Sequence, residues 1–357
     1  MRQEFPHPIE FFIKVQYSAF SPSDGDMDLL FLKKKKLIHL LKYNLPIFGT
    51  IIFGYLCAIS GLLGKKATSV LSDFVFFLAI PSMLLFQFLN APLSKLFNFS
   101  FMAVFAISTA VIGILTVLIV KKFFPQRRAE LGIAFMTVAQ VNVTYLAIPI
   151  FSLFFKTVAP VIMVLIFQTI AFTPIVLAMV EYDFYMSRSG KKKHPSVAKK
   201  LFLKEFPKII LKTPIIPASF IGITFAYYDL KFPDTVVTLF SWIGDTAPPL
   251  SLFTLGLSLA QDKISFQKGS FRREVLTLIV LKNFILPATA FCLGKYVFDL
   301  PPFWLLTTTL IAAMPAPRNA SLFAHRYGLD VKKANTLIVL TTLMSFVVIN
   351  VLMVLFK

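Results

Sequence analysis

Charge is what this sequence is short of. Only 15% of its 357 residues are charged, and the acidic ones are the scarcer, 17 Asp and Glu against 36 Lys and Arg. Water-soluble domains carry about a quarter charged residues, so the chain has too little polar surface to coat a globule in water. It has two cysteines, Cys57 and Cys292, both inside apolar runs. That excludes a disulfide framework and a thiolate metal site. A paired acidic metal motif, His-Glu-x-x-His, a Gly-x-Ser-x-Gly elbow and a phosphate-cradling glycine loop are all missing, so the sequence implies neither an enzyme nor a cofactor. Its first residues show no basic stretch followed by an apolar one, and no cleavable leader is expected.

What is abundant is apolar sequence in long runs. Apolar residues make up 57% of the chain, and the mean hydropathy is +0.77. A membrane span needs about 20 mostly apolar residues. Ten runs qualify: 45–63, 68–89, 100–120, 131–155, 158–180, 209–228, 236–260, 275–298, 302–324 and 336–356. The sixth is the weakest, its apolar core shortened by Lys212, Pro214 and Pro217. Ahead of them, residues 1–44 form an N-terminal tail and an interfacial helix. Its Lys33 to Lys36 lie between apolar stretches too short to span. Met27 offers a second start, with residues 1–26 a tail or an over-extension. The expected class is an all-α integral membrane protein, multi-pass, in the cell membrane (the inner membrane of a Gram-negative cell).

The net charge of +19 comes from short loops between apolar runs, where it suits anionic lipid headgroups. No basic, aromatic-interleaved module stands outside the spans, so nucleic acid is not an expected partner and the lipid bilayer is. The connections after spans 1, 3, 5, 7 and 9 are basic, nine Lys and Arg lying between Arg188 and Lys212 alone. Those after spans 2, 4, 6 and 8 carry one each, Lys95, Lys156, Lys231 and Lys295. That alternation places the odd connections in the cytoplasm and both termini outside; Lys33 to Lys36 run against it. The polar linker 181–208 divides the chain into repeats of five spans, 45–180 and 209–357, and an odd number per half inverts the second half.

The halves resemble each other at chosen points. Pro81 to Phe86 in span 2 and Pro248 to Phe253 in span 7 are both Pro-x-x-x-Leu-Phe, and Asn142 to Ala147 in span 4 and Asn319 to Ala324 in span 9 are both Asn-x-[Ser/Thr]-x-x-Ala. In span 9, Pro315 and Pro317 remove backbone donors and disfavour helix before them, so a break is expected, with a half-helix restarting under Asn319 or Ser321 as cap and ending at Gly328. Broken backbone at this depth survives only against protein or a watery cavity, and a helix start aims positive dipole into that cavity. Arg318 sits beside the break. A charge near the bilayer centre costs about 2.5–3.5 kcal/mol, which suits either a cationic contact for an anionic substrate or a structural, snorkelling role. Span 4 adds Gln140, Asn142, Thr144 and Tyr145, followed by Pro149; Pro149, Pro81 of span 2 and Pro248 of span 7 are further expected helix breaks. Asp73, Asp245 and Lys282 are further charges inside runs, candidates for coupling or for a structural pair, with snorkelling the alternative for Lys282. Asn98-Phe-Ser100 is a loop-placed glycosylation pattern; His325 and Arg326 read as interface anchors.

These motifs together resemble the auxin efflux carrier family, whose bacterial members carry malonate, malate and related anions. The resemblance runs from about Leu45 to the C-terminus. It rests on Ala79 to Phe86, on Asn142 to Pro149, on Gly244-Asp-Thr-Ala-Pro248-Pro-Leu-Ser-Leu-Phe253 through Gly256 to Ala260, on Lys282 with Pro287, and on Met314 to Gly328. Ala147 stands in place of the usual glycine and Val141 where plant members tend to carry proline. With the short linker, both point to the bacterial branch rather than to auxin. The resemblance implies a bile-acid-symporter-like 5+5 inverted repeat, in which spans 1, 2, 6 and 7 form a dimerising scaffold and spans 3–5 and 8–10 a mobile transport domain. Broken helices 4 and 9 would cross at the site of a small organic anion, with elevator-like movement. A substrate-gated channel or a sensor on the same fold is the alternative.

Overall fold

The computed structural model describes residues 45–64, 66–90, 98–124, 128–176, 178–180, 214–228, 230, 232–262, 264–265 and 269–356. The expected interfacial helix and the linker 181–208 lie outside them. All regular structure among the described residues is helical. In chain order the helices are α1 (Leu45–Ile59), α2 (Ala67–Leu89), α3 (Phe99–Phe123), α4 (Arg128–Ala139) and α5 (Ile148–Phe155). There follow α6 (Ala159–Val180), α7 (Ile215–Tyr227), α8 (Asp234–Asp245), α9 (Ala247–Gln261) and α10 (Ser270–Val297). The last three are α11 (Pro302–Ala312), α12 (Asn319–Arg326) and α13 (Val331–Leu355).

Among the described residues, six stretches are long and apolar enough to cross a membrane: α2, α3, α4 with α5, α6, α10 and α13. α1, α7 and α11 are shorter apolar helices. The ten runs of the sequence are therefore not ten equal spans. α7 begins only after Pro214, α11 stops ahead of Pro315, and run 236–260 is divided at Thr246. Terminal chemistry fixes the long helices. Asn98, the loop asparagine of the glycosylation pattern, caps α3 by accepting from Phe101 N at 2.9 Å, and Lys121 and Lys122 occupy its last turn. Asp330 caps α13 by accepting from Lys333 N at 3.0 Å.

Prolines within the helices are absorbed rather than broken upon. Ahead of Pro81, Pro149, Pro174 and Pro287 stand wide π turns at Val75–Ala79, Val143–Ala147, Gln168–Phe172 and Leu281–Ile285. A proline lacks an N–H and its ring crowds the carbonyl four residues back; widening the preceding turn relieves both. Two expected breaks are corrected by this: helix continues through Pro81, and Pro149 lies in the first turn of α5. Pro248 likewise sits in the first turn of α9, where its missing N–H costs nothing.

Small residues set the packing. A Cβ added to Gly256 of α9 would lie 2.0 Å from the Ile51 carbonyl oxygen, and one on Gly54 of α1 would lie 2.1 Å from that of Phe253, so α1 and α9 touch backbone to backbone. α2 packs against α7 and α8, with Gly222 under Phe88 and Gly244 against Met83. A second set brings α3 against α4, α10 and α11, and α13 against α10 and α12. The two sets meet where α9 lies on α5 and on the Val143–Ala147 turn. Near the beginnings of α4, α10 and α13, the Lys333 ammonium joins Glu130 at 3.3 Å and Glu274 at 3.2 Å.

Candidate functional site

Helix is interrupted in both of the runs that share the Asn-x-[Ser/Thr]-x-x-Ala pattern. α4 ends at Ala139 and regular structure resumes at Val143; α11 ends at Ala312 and α12 begins at Asn319, with Pro315 and Pro317 in the non-helical stretch. The two interruptions touch. Asn142 N donates to the Pro315 carbonyl oxygen at 2.9 Å, which joins the broken segments through their main chains.

Each interruption frees backbone groups that must be satisfied inside the protein. Around the first, Val141 N donates to Gln168 Oε1 at 2.6 Å, and Asn142 accepts through its side chain from Tyr145 N at 3.2 Å and through its carbonyl from Ala147 N at 3.2 Å. Gln140 reaches the Thr173 hydroxyl at 3.4 Å. Lys282, wholly buried on α10, donates from Nζ to the Val138 and Gln140 carbonyl oxygens at 3.1 and 2.6 Å. The Lys282 Nζ thus donates to carbonyls at the negative pole of α4. Lys282 therefore does not snorkel. It makes no ion pair with Asp73 or Asp245, so the structural pair considered from sequence is not formed.

Around the second interruption α13 does the same work. Ser345 Oγ donates to the Ala313 carbonyl at 2.7 Å, and Ala316 N donates to Thr341 Oγ1 at 3.1 Å. Asn283 of α10 holds both partners, donating to Ser345 Oγ at 2.8 Å and the Thr341 carbonyl at 3.2 Å. Sequence reasoning missed Gln168, Asn283, Thr341 and Ser345. Each is one of a few polar residues in an apolar helix, and nothing local shows which backbone group it serves.

The expected site residues divide accordingly. Gln140 and Asn142 are buried, while Thr144, Tyr145, Arg318 and Ser321 are half-buried. Asn319 is exposed at the first position of α12, whose N-cap is Arg318 without a side-chain bond. The expectation that Asn319 caps the restart is corrected: Pro317 carries the chain into helix one residue too early for it. Ser321 does not cap either; its hydroxyl pairs with Asn335 Oδ1 of α13. α12 does end as expected, with Gly328 at φ +59°. Asp73 and Asp245 are exposed, Asp245 accepting from the Ser241 hydroxyl at 3.2 Å, and neither is brought to the interruptions.

Four polar atoms in this region are buried and bonded to nothing: Asn142 Nδ2, Asn283 Oδ1, Arg318 Nη1 and Asp262 Oδ2. Asp262, one residue beyond α9, was not singled out from sequence. Its charge and that of Arg318 act on each other, and Tyr145 also acts on Arg318, yet no ion pair within 4.0 Å joins Arg318 to Asp262. Two unspent donors, one a guanidinium, therefore flank a crossing of interrupted helices. An anion with two oxygens suits such a place.

Comparison with known proteins agrees in kind. A family model described as membrane transport protein matches residues 39–353. A protein of Rhizobium meliloti (strain 1021) named "Putative malonate transporter" is 24% identical over 315 residues, covering 88% of this chain and 94% of that protein. An uncharacterized transporter of Methanocaldococcus jannaschii is 23% identical over 301 residues, covering 84% of this chain and 93% of its own length.

Proposed function

The chain belongs to the membrane transport protein family, that of the auxin efflux carriers, and from that premise we propose that it is a secondary carrier for a small organic anion, a carboxylate. The observation that carries this reading is the buried, unpartnered Nη1 of Arg318 beside the crossing of the interrupted segments. A guanidinium fork matches a carboxylate with two hydrogen bonds, and Asn142 Nδ2 offers a further donor. The relative named for malonate supports a short dicarboxylate as the first ligand to try.

The carrier works by elevator-like alternating access on a bile-acid-symporter-like 5+5 inverted repeat. Its scaffold comprises α1, α2, α7, α8 and α9; its moving part comprises α3 to α6 and α10 to α13. The grouping of helix contacts and the backbone-close α1–α9 crossing support that division. Two copies pair through the scaffold in the cell membrane, with both termini outside, as the basic connections suggest. The test is uptake of labelled malonate into proteoliposomes, with excess unlabelled malonate trapped inside. Saturable uptake and transient accumulation against the label's gradient are expected of a carrier. Uptake that neither saturates nor exceeds equilibration would show a channel instead.

A further inference from the structure

Along one face of α9 lie Ser251, Thr254 and Ser258, all wholly buried, and one turn further on comes Asp262. The hydroxyls of Ser251 and Thr254 and Asp262 Oδ2 have no hydrogen-bond partner. Many buried hydroxyls elsewhere turn back on their own helix, while Ser219 of α7 and Thr307 of α11 stand singly without a partner. Ser108, Thr109, Thr116, Thr341 and Thr342 each donate to the carbonyl four residues earlier, at 2.6–2.7 Å. On α9 such hydroxyls form a row instead of standing singly, along the helix that packs against α5 and the Val143–Ala147 turn. Polar atoms so placed are the partners that ordered water requires.

We propose that Asp262 is the proton-binding group of the transport cycle. It acts as the counter-charge of Arg318 in the empty site, and when a substrate carboxylate takes that place Asp262 accepts one proton. One proton then accompanies each anion. Hydronium in the adjoining water gives up the proton, which reaches the carboxylate along the α9 hydroxyls and returns to water when the anion leaves; the O–H bond formed on Asp262 is balanced by the one broken on hydronium.

Among the described residues, few groups act on Asp262. α12 presents Arg318, and α9 itself presents Ser258. α2 presents Thr68, which accepts from Gln261 at 2.9 Å, and the Val143–Ala147 turn contributes Tyr145, which acts on Arg318. Burial pushes the Asp262 carboxyl above the usual carboxylate range, against the lowering effect of Arg318 and Ser258. An anion that neutralises Arg318 removes the larger of those opposing influences. Anion binding thus favours protonation and protonation favours anion binding, by the same factor. The affinity therefore rises as pH falls through the titration of Asp262, by at most about tenfold per pH unit for one linked proton.

This inference rests on the anion reading above, and the experiment separates the two. Purified protein is titrated calorimetrically with malonate, at several pH values and in buffers of different ionisation enthalpy, which reports protons exchanged per anion bound. The ionisation of malonate itself is common to every sample. The parent protein is expected to take up as much as one proton more than Asp262→Asn does. Asp262→Asn should bind malonate at every pH with the affinity the parent reaches only at low pH, and Asp262→Glu should restore the uptake. A parent that exchanges no protons beyond those of malonate itself overturns the proposal without recourse to any variant. So does an Asp262→Asn protein that keeps the parent's uptake. A parent that binds malonate and other short carboxylates at no pH overturns the anion reading, and the proposal with it.

Discussion

Truncating Arg318 to alanine is the sharpest perturbation available, because this side chain is expected to matter to the ligand and little to the fold. A bidentate guanidinium–carboxylate contact comprises two charge-assisted hydrogen bonds, each worth about 1.5–3 kcal/mol. Their joint loss is about 3–6 kcal/mol, a weakening of Kd by about two to four powers of ten. Nη1 has no partner in the protein, so truncation strands no hydrogen-bonded group there. Asp262 loses a counter-charge, but protonation of its already raised carboxyl limits the cost. The backbone of Arg318 still leads into α12 after Pro317. Arg318→Lys keeps the charge and loses the fork, so it should fall between the parent and Arg318→Ala. Malonate titration measures the first effect and thermal melting in detergent the second. An Arg318→Ala protein that binds malonate like the parent would falsify the role given to the guanidinium, and one that fails to fold would show the residue to be structural.

Other outcomes follow from the packing. Lys282→Met leaves the Val138 and Gln140 carbonyls without their donor in a wholly buried place. At about 1–3 kcal/mol for each stranded group, offset in part by no longer burying an ammonium, the melting temperature should drop by several degrees; an unchanged one refutes the capping role. Gly256→Ala forces a Cβ against the Ile51 carbonyl oxygen of α1, whereas a Cβ on Gly49 meets nothing within 4 Å. The first substitution should cost about 1–3 kcal/mol and the second should be neutral or stabilising by up to about 1 kcal/mol, so equal melting curves would contradict the α1–α9 contact. A cysteine placed near Lys357 should react with an impermeant reagent added outside intact cells and one near Lys192 should not; the reverse pattern inverts the proposed orientation.

Much of the candidate site could be read from the chain because its cause is local. Pro315 and Pro317 interrupt helix by their own covalent structure, and Asn142 is a good cap wherever a helix restarts. Those two facts pointed to the crossing without any knowledge of distant contacts. The residues that complete the crossing are a different matter. Lys282 finds its carbonyls more than 140 positions away in sequence, and Asp262 meets the field of Arg318 from the end of another helix. Sequence showed Asp73 and Asp245 as the carboxylates deep inside apolar runs. Depth along a run says nothing about which way a helix face turns, and both point outward. Asn319 failed as a cap for a smaller reason. Boundaries shift by a residue or two, and one residue decides whether a side chain lies before the first turn or within it.

The wide turns ahead of Pro81, Pro149, Pro174 and Pro287 change what a helix face means in this protein. Each fits one more residue into a turn than a regular α-helix does, and one residue is about 100° of rotation. A stripe followed down such a helix therefore comes out on a different side below the proline than it had above. In α10 the shift falls on Lys282 and Asn283 themselves. Two neighbours in the chain reach opposite ways, one to the end of α4 and the other to α13. From that one turn α10 holds the first interrupted segment directly and the second through α13, so the two halves of the crossing share one point of attachment.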